Sequence, residues 1–288
     1  MSPIADWGTN TLDREPILAG FSKESGRAIY TRNEAPGIIT LGGPGSGKSS
    51  GLITALQTYP KSVAVFSDVN GELAAVTWRR RMQFGKVYQI NPFNLFGDTW
   101  LRHVEKIGFN PIRLLNPDSP KFSVRAAKLT RACIPENNTS RDPYWDNMAF
   151  ALIHATIMAE VIKGEEPYLS HVAEKLYGNV FGYAAEIVAT VKMREVRLVM
   201  QQYAAENATG VKSLSEVIEN TRSHLRFLLD ESIARCLSQD DGFSFRQMND
   251  EVITLYVILP LDVVGVLGKF FKLMVASALT EFFDEEGK

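Results

Sequence analysis

The 288-residue sequence predicts an α/β fold, a parallel sheet flanked by helices and interrupted by an inserted all-α block. Short apolar runs rich in β-branched residues alternate with helical patterns up to about residue 93. No strand-like run follows between about residues 120 and 239, and a buried-strand pattern then returns ahead of a long amphipathic stretch. The expected division is therefore a sheet-forming part at residues 1–115 and 240–288, with an all-α insertion at 116–239.

The elements follow in order. Residues 28–30 suit a short edge strand, and 38–41 (IITL), led by Gly37, read as a buried strand. Residues 51–56 open a helix that Tyr59-Pro60 ends. A second strand is expected at 62–66 (SVAVF), closing on Ser67-Asp68, then a helix at 71–84 ended by Gly85, then a third strand at 86–90 (KVYQI). Strands and helices at this spacing make right-handed crossovers and a parallel sheet.

From Asn110-Pro111 the pattern becomes helical. Asp142-Pro143 offers an N-cap and a proline at the first helical position. Tyr144, Trp145, Met148, Leu152, Ile153 and Val161 then fall on one face, and Gly164 stops the helix. Tyr144-Trp145 continues that stripe and reads as core rather than as a surface for stacking bases. Helical stretches continue at 172–176, 180–191 and 195–205, and Ser213 with Glu216 fits a capping box opening one helix towards Leu237. Residues 252–259 (VITLYVIL) form a last buried strand, and 263–283 one long amphipathic helix whose end includes Asp284-Glu285.

The chemistry concentrates between the first strand and the first helix. Residues 42–49 spell GGPGSGKS, a P-loop pattern in the strand–turn–helix context that it requires. Glycines without Cβ let the backbone take positive φ and turn its N–H groups towards an anion, and the following helix adds its N-terminal partial charge. The candidate phosphate contacts are Gly42, Gly43, Pro44, Gly45, Ser46, Gly47, Lys48, Ser49 and Ser50. Lys48 can reach the β- and γ-phosphates of ATP, and the Ser49 hydroxyl can ligate Mg²⁺. Asp68, closing an apolar strand, can approach the same Mg²⁺ through water; Glu72 lies one helical turn on, and either carboxylate also suits a helix N-terminus. No residue is assigned a catalytic role.

Bulk properties exclude several classes. Lys plus Arg total 31 against 33 Asp plus Glu, so a nucleic-acid surface would have to be a local patch. Cys133 and Cys236 are too few for a disulfide framework or a zinc site and are expected as buried thiols of an intracellular chain. No apolar run is long enough to cross a bilayer. Four scattered histidines lack metal-ligand spacing. The Arg79-Arg80-Arg81 run reads as a solvated helix end, with DNA phosphates as the alternative partner; Arg222 and Arg226 could face a substrate or a neighbouring subunit.

In order, GGPGSGKS, SVAVFSDVNGEL, GKVYQINPFN, DPYWDNMAFALI and VITLYVILPLD resemble the TraG/TraD-type coupling proteins of conjugation and type IV secretion, P-loop ATPases related to FtsK and HerA. The resemblance implies ATP and Mg²⁺ as ligands, a hexameric assembly, a DNA–relaxase complex and secretion-channel components as partners, and a place on the cytoplasmic side of the bacterial inner membrane. It also implies D-x-K-G-E after the second strand, where this sequence has Asn70 in the lysine position. The family's membrane anchor and its Walker B strand have no counterpart in residues 1–288, so slow hydrolysis by this chain alone is expected. The rival readings are a non-catalytic adaptor of the transfer machinery, recruiting partners through its helical block, and a small-molecule kinase with a helical lid.

Overall fold

The computed structural model describes residues 18–22, 24–30, 47–134, 143–164, 167–205 and 212–282. The strand expected at 38–41, Gly42, Gly43, Pro44, Gly45, Ser46, the Asp142 cap and the chain beyond Phe282 lie outside the described residues.

A two-stranded antiparallel ribbon, β1 (Leu18–Phe21) and β2 (Ala28–Tyr30), comes first. The strand expected at 28–30 thus pairs with β1 in a separate sheet instead of edging the main one. The main sheet is parallel, as expected. Its order is β3 (Val63–Val69), β6 (Ile253–Leu259), β4 (Lys86–Ile90), β5 (Glu105–Lys106). The late strand β6 inserts between two early ones. Every one of its seven residues is buried, which is why it reads as an unbroken apolar run.

Its side chains alternate between two layers. Tyr256 and Ile258 face α1 (Lys48–Thr58), α2 (Glu72–Arg81) and the segment after β4, joining Leu56, Val65, Ala74, Trp78, Val87, Leu101 and Val104. Ile253, Leu255, Val257 and Leu259 face the other layer. There they share one continuous core with α3 (Phe122–Cys133), α4 (Tyr144–Lys163), α5 (Leu169–Tyr177), α6 (Val180–Thr190), α7 (Arg194–Ala204), α8 (Lys212–Leu225), α9 (Glu231–Ser238) and α10 (Leu261–Phe282). Each buried aliphatic residue contributes about 1.5–3 kcal/mol. Cys133 and Cys236 are free thiols in this core, and burial pushes each up to about 12.

The helical block departs from the sequence reading at two places. The helix expected from Ser213 to Leu237 is two helices, α8 and α9, joined by one turn of 3-10 helix, Arg226–Leu229. Asp230 breaks it: its backbone is extended, and its carboxylate accepts the amides of Ser232 (3.0 Å) and Ile233 (3.1 Å) as an N-cap. Ser213 lies inside α8, one residue past its start, so the expected capping box does not form there. Gly164 ends α4 as expected, in the left-handed conformation. Trp145 packs against the core as expected, whereas Tyr144, expected in the same stripe, is exposed at the first turn of α4.

Two arginines, Arg81 buried and Arg222 half-buried, prove to be clamps on helix ends. Arg81 is 0% exposed. Its guanidinium donates to Thr254 Oγ1 of β6 (2.7 Å) and to the carbonyls of Leu56 (3.2 Å), Lys61 (2.5 Å) and Tyr59. It satisfies the open C-terminal carbonyls of α1 and excludes the solvated-helix and DNA readings for this member of the run. Arg222 does the same for α5, donating to the carbonyls of Leu176 (3.0 Å), Tyr177 (3.3 Å) and Gly178 (3.2 Å). Arg226 is exposed.

Arg81→Ala is expected to cost about 3–5 kcal/mol in urea unfolding, because it leaves several buried acceptors unpaired. Arg81→Lys restores the charge without the fork and is expected to recover less than half of that loss. A second expectation concerns His224 of α8, whose Nε2–H donates to Asp146 Oδ1 of α4 at 3.0 Å while its carbonyl accepts from Lys269 Nζ at 2.9 Å. Burial holds this imidazole below its ordinary value, outweighing the Asp146 bond. The unfolded chain therefore takes up the proton first, and stability falls as pH drops from about 6.5 through the lower folded value. Melting midpoints between pH 5 and 8 are expected to show that slope in the parent and a flatter one in His224→Gln.

Candidate functional site

The described part of the P-loop pattern begins at Gly47, which forms the N-cap of α1 with φ 85° and ψ 13°. This left-handed conformation is the one that a glycine tolerates and a Cβ opposes. No side chain caps the helix there, and its first turn carries no acidic residue. Lys48, Ser49 and Ser50 open α1 and are exposed. Among the described residues, the N-terminal end of α1 thus keeps its open amides and positive dipole end uncapped, the requirement for an anion site.

The Arg81 clamp fixes where that end lies. Arg81 ends α2 and binds carbonyls at the end of α1, and the two helices pack side by side on one face of the sheet. Their C-termini meet, so their N-termini lie together at the opposite end. Since α2 starts where β3 stops, Gly47, Lys48 and Ser49 sit at the edge formed by the C-terminal tips of the parallel strands. In open parallel sheets this edge is where ligands bind.

Asp68 lies at the same edge and is buried. Its position follows from a β-bulge: Val65 pairs with Tyr256 but Asp68 with Ile258, so β3 carries one extra residue and Ser67 takes φ 67°. The extra residue turns Asp68 onto the same face as Val65, beneath α2. Oδ1 then accepts the Leu73 amide (3.0 Å) and Oδ2 the Ala74 amide (2.8 Å). These bonds favour the carboxylate, yet burial outweighs them and raises its pKa to about 6. Of the two candidate carboxylates, Asp68 is engaged as a cap of α2, while Glu72 in the first turn is exposed.

Asn70, the departure from D-x-K-G-E, has its own task. With φ 67° it leads into Gly71, also left-handed at φ 65°. Its amide donates to the Leu259 carbonyl at 3.1 Å, and its Oδ1 accepts the Leu261 amide at 3.0 Å. One side chain therefore fastens the β3–α2 turn to the β6–α10 turn and satisfies an open donor of α10. A Cβ on Gly71 would meet Ile258 Cγ2 at 3.3 Å, so the turn also packs closely on β6. The Asn-Gly pair is a sequence signal for successive left-handed residues.

Sequence reasoning missed the segment after β4. Gln89 donates to the carbonyls of Leu101 (3.1 Å) and Val104 (2.9 Å), and Asn91 exchanges bonds with Leu95 (2.8 and 2.9 Å). Buried amide side chains thus hold residues 91–104 as a fixed surface beside α2. At the far end of α10, a cleft of about 250 Å³ is lined by Arg113, Leu114, Ser244, Arg246, Thr280 and Glu281. Glu281 there accepts from Ser244 Oγ (2.8 Å) and the Phe245 amide (2.5 Å), a packing role remote from the strand tips. Among the described residues no group of three His, Cys, Asp or Glu side chains could hold a metal, and no helix is long and apolar enough to cross a membrane.

Comparison with known proteins agrees with this architecture. The curated relative "Conjugal transfer protein TraG" of Escherichia coli is 22% identical over 266 residues, covering 84% of this chain and 39% of its own length. Solved structures of the bacterial conjugative coupling protein TrwB share the fold at 16% identity. The unbound TrwBdeltaN70 form superposes with a TM-score of 0.52, and the form in complex with ADP and Mg²⁺ with 0.51. Each alignment covers 85% of this chain and 52% of TrwB. This chain thus spans about two fifths of the curated relative and about half of the solved structures. The Type IV secretory system Conjugative DNA transfer family matches residues 9–286, nearly the whole sequence, and the chain belongs to that family of conjugative coupling proteins.

Proposed function

We propose that this chain is the nucleotide-binding part of a conjugative coupling protein, which binds ATP with Mg²⁺ and links that binding to the transfer of a DNA or protein substrate. The observation that carries the reading is the left-handed Gly47 opening α1, with an uncapped, acid-free first turn exposed at the strand-tip edge. In this reading Gly42 to Ser50 wrap the phosphates, Lys48 closes the ring of contacts, and Ser49 supplies a hydroxyl to Mg²⁺. Mg²⁺ keeps most of its water and phosphate ligands, so one protein hydroxyl suffices. The buried Asp68 already serves two amides and would reach the ion only through water. The bound ion would neutralise phosphate charge.

The reading assigns residues 1–115 and 240–288 to nucleotide binding and 116–239 to an inserted helical domain that meets substrate or channel partners. A DNA–relaxase complex, a hexameric ring and the cytoplasmic side of the inner membrane belong to the same proposal. They are supported by the family alone. TrwB, solved in complex with ADP and Mg²⁺ and with a non-hydrolysable ATP analogue, supports the choice of ligand.

Lys48→Ala is expected to weaken binding of a fluorescent ATP analogue by about tenfold to a hundredfold, the worth of a charged hydrogen bond to phosphate. Equal affinity in parent and variant would remove the loop from the site and favour a non-catalytic adaptor. Asn70→Ala is expected to lower unfolding stability by about 2 kcal/mol, losing the Leu261 cap and straining a left-handed position. Asn70→Gly should lose only the cap, and urea titration of the two variants separates the contributions.

A further inference from the structure

The segment after β4 presents a pair of aromatic rings to solvent. Trp100 is 62% exposed and Phe96 36%, and the two stack with centroids 5.2 Å apart and planes 17° from parallel. Solvent-facing rings of this size are unusual on a surface that needs them only for packing. The backbone beneath them is fixed by Gln89 and Asn91 and by the bonds from Leu101 N and Thr99 N to the Phe96 carbonyl, at 2.9 and 3.1 Å. Phe96 itself takes φ 55°, a costly conformation for an aromatic residue.

The segment runs along α2. At one end Phe96 lies against Gly71, within 3.5 Å of where a Cβ would stand. At the other end His103 faces the Trp78 indole at 6.0 Å. Gly71 to Trp78 spans about 10 Å of helix. Beside Trp78, the Arg79 guanidinium lies 5.3 Å from the indole centroid, and Arg102 Nε donates to His103 Nε2 at 2.9 Å. Among the described residues neither Arg79 nor Arg102 pairs with a carboxylate, although Glu72 and Asp98 are nearby in sequence. The segment thus carries solvent-facing π-faces and, further along α2, unneutralised guanidinium groups, a combination that complements an extended ligand both aromatic and anionic, repeated every few ångströms.

We propose that Phe96 and Trp100 form a stacking platform for single-stranded DNA, with Arg79 and Arg102 meeting its phosphates. The length of α2 involved accommodates about three stacked nucleotides at roughly 3.4 Å each. A duplex hides its base faces, so the platform takes unpaired strands. The proposal deepens the coupling-protein reading, on which it rests, by placing one contact with its DNA substrate at the strand-tip edge.

The test uses the full 288-residue chain and a fluorescein-labelled 12-mer of thymidylates, with a 12-base-pair duplex as comparison. Polarisation is expected to show tighter binding of the single strand. Trp100→Ala is expected to weaken it about fivefold to a hundredfold, Trp100→Tyr to restore most of the affinity, and Arg79→Ala/Arg102→Ala to reduce the dependence on salt. Lys48→Ala should leave oligonucleotide affinity in place, and Trp100→Ala should leave nucleotide affinity in place, so the two sites fail separately. Unchanged oligonucleotide affinity in Trp100→Ala would overturn the proposal. So would a Trp100→Ala chain that loses self-association by sedimentation, because the rings would then be packing on a second copy.

Discussion

A single buried guanidinium holds this architecture in register. Arg81 gathers the last carbonyls of α1, the chain entering β3 and a hydroxyl of β6 around one planar fork. No carboxylate takes part in the hydrogen bonds described for it; neutral oxygens solvate the charge instead. A helix C-terminus carries partial negative charge from its open carbonyls, so a cation there is favoured twice, by hydrogen bonding and by the dipole. Through this one group the direction of α1 is tied to that of α2, and the residues that open both helices are brought to one edge.

The edge itself is shaped by backbone irregularity. Ser67 and Asn70 in β3 and its turn, and Asn94 and Phe96 after β4, are the described non-glycine residues with positive φ, and all four lie near the strand tips. The bulge at Ser67 decides which way Asp68 points. Without it Asp68 would point to the opposite layer, away from the Leu73 and Ala74 amides of α2. Strain concentrated at the tips while β6 remains regular and fully buried is the distribution expected when a rigid scaffold positions working loops.

Much of the fold was legible because its signals are local. The strand at 86–90 and the strand at 252–259 declare themselves by β-branched and aromatic content, and Gly164 by the end of an apolar period. Other features had no such signal. Glu105–Lys106 is a two-residue edge strand with no apolar pattern. Arg81 looks like its neighbours in a basic run; only the third dimension separates the buried member from Arg79. Asp230 carries an N-cap signature, but continuous helical periodicity on both sides masked it. At the site, the glycine-rich pattern was legible from residue type and spacing, whereas the Phe96–Trp100 stack depends on buried amides of Gln89 and Asn91 whose partners lie up to fifteen residues away.

The Asn70 side chain has a mechanical consequence. It bolts together two turns that belong to neighbouring strands and start two different layers, α2 on one side of the sheet and α10 on the other. Any shift of the β3–α2 turn must therefore either drag the first turn of α10 with it or snap the bolt. Because α10 runs the length of the sheet against α3 and the 3-10 turn at Pro111–Leu114, a displacement of about an ångström at the strand tips has a stiff rod along which to travel to the opposite end of the molecule.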